Sequence, residues 1–197
     1  MKGLSRTQEK TMHRFIDAFF SVRQTKPLNK ITVRDIVDQA GYNRSSFYLY
    51  FTDVYDLADA AEDAVIRHLT EYADREFSQG EIVSLEGFMS QMALETSGYA
   101  NEIYLLADSK SFRDKFMGVL RLNFAKAAGL NPDSRNYDYL VSLFFSIMLH
   151  NISYRAQHKD EYSLSEIADI TRAVLLPGIR QLKDAELIKA TESMKKG

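Results

Sequence analysis

Between Gly41 and Gly80 the chain contains neither glycine nor proline. A stretch that long without a breaker favours helix over a turn-rich β architecture. The whole chain of 197 residues has only nine glycines and three prolines. No alternating apolar–polar segment of useful length and no internal repeat interrupts the pattern. The prediction is an all-α protein.

Helix signals divide the N-terminal part. Met12, Phe15, Ile16, Phe19 and Phe20 recur at helical spacing, with charged residues opposite, and predict a first helix from Thr7 to about Gln24. Thr25 to Lys30, with Pro27, ends it. Thr32 starts a second helix, and Asp35 three residues on approximates a capping box. Val33, Ile36, Val37 and Ala40 form its inner side. Gly41 supplies an unhindered turn. Asn43 caps a short third helix ending near Phe51, and Asp53 caps a long fourth one reaching about Phe77. In the fourth, Ala61, Val65, Leu69 and Tyr72 make an apolar stripe, and the pair Glu62–Asp63 is expected on its exposed face. With no breaker between them, helices three and four are expected to be nearly continuous. Further helices are predicted over 84–97, 101–107, 111–128, 137–158 and 163–187, with Pro177-Gly178 kinking or breaking the last.

The overall charge of −2 hides two modules. Residues 1–50 hold nine Lys or Arg against four acids, a balance of +5; the remaining 147 hold 16 against 23, a balance of −7. The basic end is the one suited to an anionic partner.

That same end has the two short helices and glycine turn of a helix-turn-helix. Val37 and Phe47 flank Gly41 where the helices must touch. Asn43, Arg44, Ser45 and Ser46 then fall at the start of the second helix, the part that meets base edges in the major groove. Arg44 can donate two hydrogen bonds to guanine. Thr32 and the N-terminus behind it suit a phosphate, and Tyr48 and Tyr50 offer hydroxyls nearby.

The run from Ile31 to Phe51, ITVRDIVDQAGYNRSSFYLYF, resembles the signature of the TetR family of transcriptional regulators, from a capping Thr through Ala-Gly to a Phe-Tyr-x-Tyr-Phe end. The resemblance covers about residues 8–58. It implies a helix-turn-helix DNA-binding domain over 1–52 and a helical ligand-binding and dimerisation domain over 53–197. It also implies a homodimer on a near-palindromic, double-stranded DNA operator, usually a repressor released by a small molecule. Carried over by position, Thr32, Tyr42, Asn43, Arg44, Ser45, Ser46, Tyr48 and Tyr50 become the DNA-contact candidates. Two positions depart from the family: Val54 stands where a phosphate-binding Lys is frequent, and Val37 replaces a small Ala.

Ten of the 14 residues in 139–152 are apolar and surround the helix. One face is expected on its own domain and the other on a partner subunit, with Phe144, Phe145, Met148, Ile152, Ile170 and Val174 at the dimer interface. Pocket candidates are His68, Phe88, Met92, Tyr104, Phe116, Met117 and Asn151, a mixture of apolar, adaptable and polar groups.

The absence of cysteine excludes disulfides, thiol nucleophiles and thiolate metal sites. The four histidines form no short metal-binding pair, and neither a Gly-rich phosphate loop nor a nucleophile elbow occurs. No metal, cofactor or enzymatic activity is expected. With no apolar signal core at the start and no run long enough to span a bilayer, a cytoplasmic protein is expected. Two alternatives stay open: a DNA-binding regulator controlled by a protein partner or by no ligand, and a helical protein–protein adaptor.

Overall fold

The computed structural model describes residues 5–78, 98–128, 131–133, 136–158 and 161–194. The described residues form α-helices, one short 3-10 turn and connecting segments, and no strand. They divide into two compact units, Met1–Arg67 and His68–Gly197. The first unit includes the start of the fourth helix, where Val54, Leu57, Ala58, Ala61 and Val65 are all buried at helical spacing.

In the first unit, α1 runs Arg6–Arg23 and opens with a capping box between Ser5 and Gln8. A 3-10 turn, Leu28–Lys30, leads to α2, Val33–Ala40. Gly41 follows in the left-handed region, φ 73°, which costs an L side chain about 1–2 kcal/mol. α3 is only five residues, Arg44–Tyr48. α4 runs Val54–Ser78. The core is aromatic: the Phe15 ring meets Phe47 edge-on at 5.6 Å and Phe51 edge-on at 6.1 Å. Ile16, Phe19, Ile36 and Val37 are buried with them, and Gln39 donates to the Ser21 hydroxyl at 2.9 Å, tying α2 to α1.

α3 and α4 are separate helices, against the expectation of near-continuity. The N–H groups of Tyr50 and Phe51 both turn back to the Phe47 carbonyl. The Asp53 carboxylate then accepts from the N–H groups of Tyr55 and Asp56, and the Asp56 carboxylate accepts from the Thr52 N–H. Side chains that bond local backbone this way start a helix rather than sit inside one. Glu62 is buried, not exposed; one turn after Ala58 and one before Ile66, it falls on the inward side, whereas Asp63 is exposed.

In the second unit, α5 covers Ala100–Leu106, α6 Lys110–Ala128, α7 Tyr137–Gln157 and α8 Leu164–Met194. The helix expected over 84–97 lies outside the described residues. α7 packs against α5, α6 and α8, which accounts for its apolar residues on nearly every side. The buried Tyr137 hydroxyl donates to the Arg121 carbonyl, and the Arg121 guanidinium pairs with Asp138, so α6 and α7 are pinned at that end. α8 continues through Pro177 rather than ending there. Pro177 and Gly178 are both exposed, and of the expected kink or break the break does not occur. Among the described residues no helix is long and apolar enough to cross a membrane.

Candidate nucleic-acid interface

The capping interactions decide which polar groups of the helix-turn-helix remain available. Thr32 gives its hydroxyl to α2: it accepts from the Asp35 N–H at 3.2 Å and donates to the Asp35 carboxylate at 2.9 Å. Asp35 also receives the Thr32 N–H and the Lys26 ammonium, the latter at 2.6 Å. The Lys26 hydrogen bond, then those of Thr32, hold the Asp35 carboxyl down at about 2. The start of α2 is therefore already occupied by a carboxylate. A phosphate approaching it meets that charge alongside the compensating Lys26.

At α3 the Asn43 side-chain oxygen accepts from the Ser46 N–H at 2.8 Å and the Ser46 hydroxyl at 3.0 Å. Asn43 keeps its amide N–H groups for a partner, while Ser46 is half-buried and committed. Arg44 and Ser45 are exposed. Phe47, fully buried, anchors the helix from behind. Tyr48 is 57% exposed and touches Phe47 only edge-on, at 5.5 Å. Tyr42, 39% exposed, leans on Phe15 at 5.1 Å. Tyr50 is half-buried, 6.1 Å from Phe15 and 6.3 Å from Phe51.

Spacing sorts these residues. Ser45, Tyr48 and Leu49 follow the i, i+3, i+4 rule and share one outward stripe, with Arg44 beside it. Leu49 is 80% exposed. Its sequence signal is the i+4 spacing from Ser45, masked by a residue type that ordinarily points to a core. Val54, at the position where a Lys is frequent in the family, is buried among the apolar residues of the first unit and presents nothing to a phosphate.

The pocket candidates of the second unit are dispersed in role. His68 is half-buried and its ring lies 4.2 Å from that of Tyr99. Phe116 is fully buried between Phe112 at 5.6 Å and Phe145 at 5.5 Å. Met117 is half-buried, and Tyr104 is exposed. Asn151 donates to the Thr171 hydroxyl at 2.9 Å and so links α7 to α8. Phe88 and Met92 lie outside the described residues. One polar group had no sequence signal: Asn123 is buried, and its side-chain oxygen has no hydrogen-bond partner.

The dimer candidates separate into two groups. Phe144, Phe145, Met148 and Ile152 are buried within the protomer, because α7 is enclosed by its own neighbours. Ile170 and Val174, one turn apart on α8, are 58% and 72% exposed. On α7 the exposed positions Tyr139, Leu143, Ser146 and His150 form a second outward stripe.

No group of three His, Asp or Glu side chains among the described residues is placed to hold a metal.

Comparison with known proteins places this geometry. Residues 16–61 match the family model of bacterial regulatory proteins of the tetR family. No curated protein matches the chain. Among solved structures, a fatty acid degradation regulator, FadR, from Bacillus halodurans is 14% identical, with a TM-score of 0.67 over 91% of this chain and 99% of that one. A TetR transcriptional regulator from Streptococcus agalactiae 2603V is 21% identical, with a TM-score of 0.58 over 84% and 93%. The dihydroxyacetone kinase operon activator DhaS is 16% identical, with a TM-score of 0.61 over 86% and 96%. The matched segment spans the capped helix-turn-helix and the buried start of α4, and over residues 16–61 the chain carries the DNA-binding domain of the tetR family of bacterial regulatory proteins.

Proposed function

We propose that the protein acts as a homodimer on a near-palindromic operator, represses by occupying it, and is released by a small molecule. The observation that carries the reading is the outward stripe of α3. Arg44, Ser45 and Tyr48 are exposed on a helix whose opposite side is locked by Phe47 and whose start is fixed by Asn43. Such a surface reads base edges with little reorganisation. Two copies would place their recognition helices about 34–36 Å apart in successive major grooves.

The dimer draws its support from the exposed apolar residues Ile170 and Val174 on α8 and Tyr139 and Leu143 on α7. Their burial against a second copy removes water from side chains that the protomer leaves wet. An effector site finds its support in the half-buried His68–Tyr99 pair and in Asn123, a buried amide with an unfilled acceptor. Repression by occlusion requires DNA occupancy and nothing more, and a coupling of about 1–3 kcal/mol between effector and operator suffices for release.

Selection of genomic fragments by the purified protein, followed by gel-shift on the recovered DNA, tests the core of this reading. A specific duplex with two related half-sites is expected. Recovery of fragments sharing no sequence would overturn it.

A further inference from the structure

The outward stripe of α3 ends in a side chain that can address neither a phosphate nor a hydrogen-bonding base edge. Leu49 is 80% exposed, the highest value among the described large hydrophobic residues. It lies one turn beyond Ser45 and next to Tyr48, opposite the buried Phe47. Exposure on this scale at a single leucine is unremarkable by itself on a protein surface. Here it falls on the surface that carries Ser45 and Tyr48, in the basic N-terminal segment of the chain.

Leucine has no donor or acceptor. In the major groove of B-DNA the base edges present donors, acceptors and one apolar group, the C5-methyl of thymine. We infer that Leu49 reads a thymine methyl and so adds a sequence preference at one position per half-site. This rests on the operator-binding reading above and makes it specific.

Leu49 lies five residues after Arg44, about 7.5 Å along a helix rising about 1.5 Å per residue, so the two side chains are expected to address different base pairs. Burying one methyl group contributes about 0.8 kcal/mol, equivalent to about a fourfold change in affinity.

The experiment uses the full-length protein and duplexes recovered by genomic selection. Each thymine of a half-site is replaced in turn by deoxyuridine, which removes the methyl and keeps every hydrogen-bonding group. Binding is read by fluorescence anisotropy for wild type, Leu49→Ala and Leu49→Gln. The expected result is about a fourfold loss for wild type at one thymine per half-site, and no loss for either variant at that position. Circular dichroism melts of both variants should match wild type, since so exposed a side chain adds little to the fold. A wild type indifferent to every deoxyuridine, or a loss that persists unchanged in both variants, overturns the assignment while leaving operator binding intact. A protein that selects no specific duplex overturns both.

Discussion

The Lys26 ammonium donates a 2.6 Å hydrogen bond to the carboxylate of Asp35, the residue that also closes the N-terminus of α2. One side chain thereby fixes both the loop entering the helix-turn-helix and its first helix. The Asp35 pKa falls from 3.8 to about 2. A depressed carboxylate contributes stability above its unfolded value and loses it as pH falls through the folded one. Asp35→Asn is expected to cost about 1–2 kcal/mol near neutral pH. That difference should shrink between about pH 4 and about pH 2. Urea denaturation of both proteins across that window measures it.

Arg44→Ala should reduce discrimination between the selected operator and a mismatched duplex by about 1–3 kcal/mol. Affinity for random DNA should change far less. Competition gel-shifts with specific and non-specific duplexes separate the two quantities, and equal losses on both would make Arg44 a phosphate contact.

Ile170→Glu combined with Val174→Glu should leave the protomer folded and convert the proposed dimer to monomer in sedimentation. Phe145→Glu should behave differently, because Phe145 meets Phe116 edge-on at 5.5 Å inside the protomer. Placing a charge there should cost about 3–5 kcal/mol or more and appear as a lowered melting temperature. A folded dimer carrying both α8 charges would place the interface elsewhere.

Two glycines should respond in opposite directions. Gly41, at φ 73°, should lose about 1–2 kcal/mol as alanine. Gly118 lies inside α6, and a Cβ there would meet nothing within 4 Å, so Gly118→Ala should gain about 0.5–1 kcal/mol. Thermal melts of the two variants decide both.

The N-terminal unit was legible because its local and tertiary demands coincide. Thr32 and Asn43 cap the helices that their residue types announced, and Gly41 sits in the one left-handed conformation among the described residues. Phe47 and Val37 are buried where the turn required. Elsewhere the surroundings decide. Freedom from Gly and Pro makes α3 and α4 look nearly continuous, but the cap that Asp53 announces does form, and Thr52 and Asp56 complete the break. Pro177 announces a kink or a break, and α8 shows no break there. On α7, apolar residues on nearly every side suggest a partner subunit, and α5, α6 and α8 of the same protomer pack against that helix. Pocket residues were least legible, because a buried Phe116 and a helix-linking Asn151 have the same composition as a ligand contact.

α4 begins in one compact unit and ends in the other, with the division falling between Arg67 and His68. No loop separates the reader of DNA from the rest of the chain. A fragment cut at residue 52 would forfeit the buried Val54, Leu57, Ala58, Ala61 and Val65. Any exchange of second units between relatives, in the laboratory or in evolution, must therefore be spliced inside a helix. Only partners that preserve its unbroken hydrogen-bond ladder can inherit this DNA-reading head.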